Sequence, residues 1–382
     1  LPSHLWNDAR VRGLLLLTSM LVVVRAADSA LVNLMRAKER SVAFNLYAVI
    51  KRYGSLAVIL LTVTFFVPGI SGFYVGTIVM EVLAVSVLYF YVRRTCEFRP
   101  SQFSWPLYKS MLAFGIPMIA SELGGVVLNL SDRFVLQHFL GPEALGLYSA
   151  AYNLCDYVQT ILIVSMGQAI VPMYVRIWRE QGEAATRRFV QDSMHYYLLV
   201  GAAVVAGLAA LQADLLVVLA SEKYRDGAVI IPFAAAGMVI NGGMTIFGAG
   251  LYIHKQTRTL AYLVAGCAVF NVSLNMVLVP RLGLLGAALC TLTSYSLLSA
   301  LTFAASNKRL PLALPWRDIG KFCLLAFVMY LVVSHVHVGG ASANLLAKVA
   351  TGALVYALLV LAFDGRSRLV AAQFWRRQQD TP

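Results

Sequence analysis

Charge is what this sequence has least of. Charged residues make up 13% of the 382, and only 18 of them are acidic. A soluble domain carries about a quarter charged residues, so a water-soluble globule is excluded for the bulk of the chain. Strict alternation of apolar and polar residues is also missing, which excludes a transmembrane β-barrel. Cysteine is sparse: Cys155, Cys267, Cys290 and Cys323 fall in apolar runs and Cys96 in a basic loop, with no metal-ligand spacing and no disulfide framework. There is no phosphate-binding glycine loop, no His-Glu-x-x-His and no nucleophile elbow, so the enzyme chemistries that those motifs carry find no support. Asn271-Val272-Ser273 fits a glycosylation acceptor but lies inside an apolar run and is set aside.

What the chain has instead is hydrophobic length. Apolar residues reach 59%, with a mean hydropathy of +0.74. They come in runs near the ~20 residues that cross a bilayer. Because backbone polar groups in lipid must satisfy one another, such runs are helices. The spacing predicts an all-α membrane protein with about eleven transmembrane helices, over 13–35, 51–67, 69–92, 107–130, 145–174, 196–211, 229–251, 259–279, 282–306, 319–336 and 344–363. Tight turns are expected at Pro68-Gly69 and Pro280-Arg281.

Basic residues sort by loop. Of the 31 Lys and Arg, 23 fall on one set of alternate loops, including Lys51, Arg52, Arg93, Arg94, Arg187 and Arg188. Seven fall on the other set, among them Arg133, Lys223 and Lys348, and Arg25 remains inside a span. Basic loops resist translocation, so the C-terminus is expected in the cytoplasm and Leu1 outside. The net charge of +13 is then explained by membrane anchors rather than by nucleic acid. Lys51 and Arg52 are expected to snorkel to the interface, and 364–382 to form a cytoplasmic interfacial tail.

The stretch 107–178 carries a recognisable set of residues. Gly115-Ile116-Pro117 is followed by Ser131-Asp132-Arg133-Phe134, Leu140-Gly141, the string Leu145-Gly146-Leu147-Tyr148-Ser149-Ala150-Ala151-Tyr152, and Pro172 before Tyr174. This resembles the Wzx-type oligosaccharide flippases of polysaccharide biosynthesis, within the multidrug/oligosaccharidyl-lipid/polysaccharide (MOP) exporter superfamily. The resemblance implies a two-lobed bundle with alternating access between the lobes. Aligned on the Gly-Ile-Pro helix as the family's seventh, the chain supplies helices four to fourteen and lacks the first three. The missing initial Met and the odd helix count agree with that expectation. The implied division is a partial N-lobe at 1–92, a C-lobe at 107–306 and an extra helix pair at 316–363.

The implied partner is a polyprenyl-diphosphate-linked oligosaccharide in a bacterial inner membrane, with membrane lipids around it, a proton or sodium ion for coupling and no cofactor. Charges at membrane depth are costly unless paired or wetted, so they are the candidate site residues. Arg25 and Asp28 lie three apart on one helix face, with Arg25 and Asn153 expected on substrate. Asp28, Glu81, Glu122 and Asp156 are the candidate cavity or coupling-ion carboxylates. The plainer reading of Arg25 and Asp28 is a structural ion pair. Asp132 and Arg133 read as an exposed capping pair at the outer interface, and the glycines at 237–243 as points of close helix approach or bending. Two alternatives remain: a cation-coupled multidrug or metabolite antiporter of the same superfamily, and a membrane polysaccharide polymerase or ligase. The short outer loops disfavour the second.

Overall fold

The structure, a computed structural model, describes residues 9–37, 41–95 and 103–369. Cys96 and the tail beyond Leu369, where the interfacial segment is expected, lie outside them. All regular structure among the described residues is helical. The chain forms two compact units, Leu1–Trp105 and Pro106–Pro382.

In the first unit, α3 (Ile70–Thr95) packs against both α1 (Ala9–Ala37) and α2 (Ser41–Leu61). Met35, Leu88 and Val92 form the small apolar core, backed by Leu31, Val32 and Tyr47. Most other apolar side chains face outward: Val23 is 70% exposed and Phe66 78%. In water such a surface would aggregate; in a bilayer it is the lipid contact. The turn at Pro68-Gly69 forms as expected, with Gly69 at φ 87°. One boundary departs from expectation. α2 opens at Ser41, ten residues before the expected start at 51. The apolar stretch ahead of Lys51 continues the helix, so Lys51 lies within it rather than at its end.

The second unit is built from helices too long to cross a bilayer once. α4 (Trp105–Val158) has 54 residues, α5 (Ser165–Leu219) 55 and α9 (Thr257–Asn307) 51. At 1.5 Å per residue each would run to roughly 80 Å, against a hydrocarbon core of ~30 Å. Each is broken at one glycine, Gly141 (φ 82°), Gly182 (φ 79°) and Gly283 (φ 62°), where only glycine holds the backbone without strain. The halves fold back on themselves. Tyr152 reaches Asn129 across the first break, Tyr174 and Val190 share a core across the second, and Asn271 bonds Ser294 across the third. The breaks at Gly141 and Gly182 separate the sequence-expected spans, and Gly283 lies within a few residues of the expected turn.

The expected span at 229–251 is a broken helix rather than a continuous one. α6 (Ile231–Gly242), α7 (Met244–Phe247) and α8 (Ala249–Ile253) follow each other with bends at Gly243 and Gly248. A π-helical turn at Gln159–Val164 lies beside this break, and Gln159 donates to the Met238 carbonyl at 3.1 Å. A Cβ added to Gly242 would sit 2.3 Å from Ile163 Cγ2, so glycine is needed for the close approach. The small-residue cluster therefore provides both contact and bend.

The final pair, α10 (Trp316–Ser334) and α11 (Ala341–Phe363), packs on the second half of α5. The seam is apolar: Phe322, Met329, Val333, Tyr356 and Val360 meet Leu198, Leu199 and the alanines 202, 203, 206 and 210. Polar clips close it at both ends. At one end His195 lies between Asp318 (2.8 Å) and Asp364 (3.1 Å), with Lys321 2.6 Å from Asp364. At the other, Lys348 meets Asp214 at 2.7 Å and Asn344 donates to it at 3.2 Å. His195 and Asp214 are 19 positions apart on α5, roughly 28 Å along a helix axis. That is close to the thickness of the hydrocarbon core, so the polar clips mark its two faces.

Candidate functional site

In the first unit, four charged side chains converge from three helices. Lys51 of α2 contacts Asp28 of α1 and Glu81 of α3, each at 2.7 Å. The Tyr47 hydroxyl donates to the other Asp28 oxygen. Arg25 Nε lies 3.4 Å from Glu81, while the arginine side chain is 60% exposed. The grouping is charge-balanced, as charges inside a membrane require. A cleft of about 390 Å³ opens beside it, lined by Asp28, Tyr47, Lys51, Arg52 and Ser55.

Two sequence-based readings change here. Arg25 and Asp28 share a helix face, but the ion pair expected between them is absent: Asp28 goes to Lys51, and Arg25 to Glu81. Lys51 does not snorkel. It is the keystone between two carboxylates, because α1 and α3 bring their acids to the middle of α2.

In the second unit a cavity of about 350 Å³ is lined by Glu122, Asn129, Asn241, Tyr252, Lys255, Gln256 and Tyr295, with Leu128, Val264 and Leu298 as its apolar wall. Asn129 Oδ1 accepts from Tyr295 at 2.6 Å and Tyr152 at 2.9 Å, which fixes the amide plane in the cavity wall. Glu122 makes no hydrogen bond or ion pair among the described residues, so this carboxylate is available to a cavity occupant. Asn153 is placed one layer on, accepting from Arg133 at 3.0 Å. Asp156 is exposed and outside this cavity's lining. Within the first unit Arg25, Asp28 and Glu81 share one grouping; within the second, Glu122 lines the cavity while Asn153 and Asp156 lie outside its lining.

The motif residues of 131–152 hold one another. Across the Gly141 break, Tyr148 donates to Asp132, Tyr152 to Asn129, and Arg133 to Asn153. Asp132 is 0% exposed, which corrects its reading as an exposed cap. The fold-back at Gly141 covers it with the fully buried Tyr148. Beneath lies an amide network that sequence reasoning did not find. Ser131 donates to Asn271 Oδ1 at 2.7 Å, Asn275 donates to the same oxygen at 3.0 Å, and Asn271 donates to Ser294 at 3.0 Å. The available signal was Asn271 and Asn275, four apart on one face of an apolar helix.

Comparison with known proteins gives a consistent answer. Residues 8–178 match the family model described as "Polysaccharide biosynthesis protein". An uncharacterized membrane protein of Methanocaldococcus jannaschii is 23% identical over 197 residues, 50% of this chain and 38% of that one. Among solved structures, the lipid II flippase MurJ in an inward closed conformation aligns with a TM-score of 0.66 and 16% identity, over 83% of this chain and 66% of MurJ. An outward-facing multidrug resistance MATE family transporter of the MOP superfamily gives 0.62 and 15%, over 78% and 68%. The chain thus spans well under half of that curated relative and just under two thirds of MurJ. It is a multi-helix membrane protein that shares its fold with the MurJ and MATE structures, and its residues 8–178 match the polysaccharide biosynthesis model.

Proposed function

We propose that the chain takes part in moving a polyprenyl-diphosphate-linked oligosaccharide across a bacterial inner membrane by alternating access, with Arg25 as a contact for the diphosphate. The observation that carries this reading is the way Arg25 is held. Its Nε is anchored on Glu81 while most of the side chain stays exposed, within a family-matched region of apolar helices. A guanidinium so anchored keeps its terminal nitrogens for phosphate oxygens, which it can grip in a two-bond fork that lysine lacks. Glu122, free in the second unit's cavity, is the candidate for the coupling ion.

The grouping around Lys51 makes the test clean. Arg25→Ala removes the Arg25–Glu81 contact but leaves Lys51 bridging Asp28 and Glu81, so membrane abundance separates a folding defect from a transport defect. Glycan export by cells that depend on the full-length transporter should fall at least tenfold in Arg25→Ala at normal membrane abundance. Arg25→Lys should retain part of it. Normal export by a stably inserted Arg25→Ala protein would remove Arg25 from the mechanism.

The orientation is part of the proposal: the loop near Arg187 and the chain after Phe363 face the cytoplasm, and the loop around Lys223 faces out, following a sorting of basic residues that stays lopsided once Lys51, which lies within α2, is left out of it. Reporter fusions at these three places should be active in that pattern. A phosphatase that works only outside the cytoplasm, active when fused after Arg187, would reverse it.

A further inference from the structure

Arg133 is a charged side chain of the second unit that the proposed function leaves unused. It lies four residues after Asn129 on α4, hence on the same helix face one turn beyond the cavity wall. It makes no ion pair among the described residues. Among the described residues its side chain makes one hydrogen bond, from Nη2 to the neutral oxygen of Asn153 at 3.0 Å. Its guanidinium carbon stands 5.3 Å from the centre of the Tyr152 ring. Its Nε is buried and bonds nothing among the described residues. The adjacent Asp132 attracts the guanidinium electrostatically but forms no close ion pair with it, since its oxygens are taken up by the Tyr148 hydroxyl and by the Arg133 backbone N–H at 2.8 Å. The same tyrosine whose ring faces the guanidinium also ties, through its hydroxyl, to the cavity residue Asn129.

Arg133 is half-buried and its bond to Asn153 lies on the exposed side, so its remaining donors are open to a ligand as well as to water. Here a neutral amide and an aromatic face hold the cation in place without cancelling its charge. Spare donors on an oriented guanidinium with no ion-pair partner among the described residues make a receptor for an oxyanion, and phosphate oxygens match its fork. We infer that Arg133, steadied by Asn153 and Tyr152, is a second anion-docking point that takes a phosphate or diphosphate group at the edge of the Asn129–Tyr295 cavity. This deepens the proposed function: the diphosphate of a lipid-linked glycan is the group expected there. Asn153, placed on substrate by the sequence, becomes a positioning residue for the arginine.

The test uses the full chain in nanodiscs of zwitterionic lipid, titrated with farnesyl diphosphate and with inorganic diphosphate. Binding of both should weaken tenfold or more in Arg133→Ala and only partly in Arg133→Lys. Asn153→Asp is the decisive variant, because it keeps the arginine and sets a carboxylate where the amide oxygen now accepts. The new ion pair should occupy the guanidinium, so diphosphate binding should fall as in Arg133→Ala while thermal stability is kept or raised. Unchanged affinity in Asn153→Asp and Arg133→Ala overturns the inference. Displacement of farnesyl diphosphate by an equal concentration of phosphatidylglycerol would assign the site to lipid headgroups and overturn the diphosphate assignment.

The two proposals fail separately. Arg133-independent diphosphate binding, by a chain that does move lipid-linked glycan, ends this inference and spares the function. Arg133-dependent binding of inorganic diphosphate, without binding of any lipid-linked glycan, does the reverse.

Discussion

Lys51→Ala should sharply reduce the amount of protein found in the membrane, and adding Asp28→Asn with Glu81→Gln should restore it. Lys51 is the common counter-ion of two acids that approach it from opposite helices, each at 2.7 Å. The three side chains are 21%, 14% and 9% exposed, so water can do little in its place. Removing one partner of a buried pair costs about 3–5 kcal/mol, mostly from the charge left behind. That is a large part of the roughly 5–15 kcal/mol by which proteins are stable. Replacing both carboxylates as well removes the stranded negative charges and leaves neutral amides beside Tyr47, while Arg25, 60% exposed, loses its Glu81 partner where water can reach it. Tyr47→Phe, which deletes one hydrogen bond and no charge, should cost only about 1 kcal/mol. Membrane abundance and thermal unfolding of the single, triple and Tyr47 variants measure this ordering. A Lys51→Ala protein as abundant and as heat-resistant as the parent would show that the carboxylates are satisfied without the lysine.

The contrast between Lys51 and Arg25 shows what the sequence could and could not disclose. Buried charges are conspicuous in apolar runs, so Arg25, Asp28 and Glu81 stood out as candidates without any coordinates. Their pairing did not, because it depends on the rotation of three helices about their own axes. Helices apolar on nearly every face carry little periodicity from which to read that rotation. Lys51 was misread for a related reason. Beside Arg52 it looked like the basic end of a span, and only its partners on α1 and α3 reveal a lysine inside one. The breaks in the long helices were more legible, since Gly141-Pro142 and the glycine at 283 sit where an apolar run must reverse. Asp132 falls between the cases. It was expected just past a span ending at 130, but the helix runs on to the break at Gly141, and the burial of Asp132 is created by Tyr148 returning after that reversal. The Asn271 network stayed hidden because isolated amides in a hydrophobic helix mark nothing until their partners are in place.

Lys321→Met and Lys348→Met should each loosen one end of the α10–α11 pair, and their effects should add in the double variant. Lys321 is shared by Asp364 at 2.6 Å and Asp318 at 3.2 Å, and Asp364 is only 2% exposed. Lys348 holds Asp214 at 2.7 Å and is itself 10% exposed. Each substitution strands a carboxylate, at a cost of up to about 3–5 kcal/mol. The two clips are roughly 28 Å apart along α5, well beyond the ~7–10 Å within which mutational effects couple. Additivity to about 0.5 kcal/mol is therefore expected, unless the pair undocks as one piece.

The pH dependence of the Asp364 clip has a definite sign. Burial pushes this carboxyl upward, but Lys321 and the Ser367 hydroxyl and backbone N–H outweigh it and hold the group well below the usual carboxylate range. A folded-state value below the unfolded one gives stability that is complete above the ordinary value near 4 and is lost as pH falls through the folded value. Docking should therefore be indifferent to this group between about pH 5 and 8 and weaken only in stronger acid. Hydrogen exchange in α10 and α11 reads all of this directly. Lys321→Met should raise exchange near Phe322, Lys348→Met near Asn344, and the double variant along the whole apolar seam. Full protection of α10 in the double variant would mean that the seam of Phe322, Met329 and Val333 holds the pair without its clips.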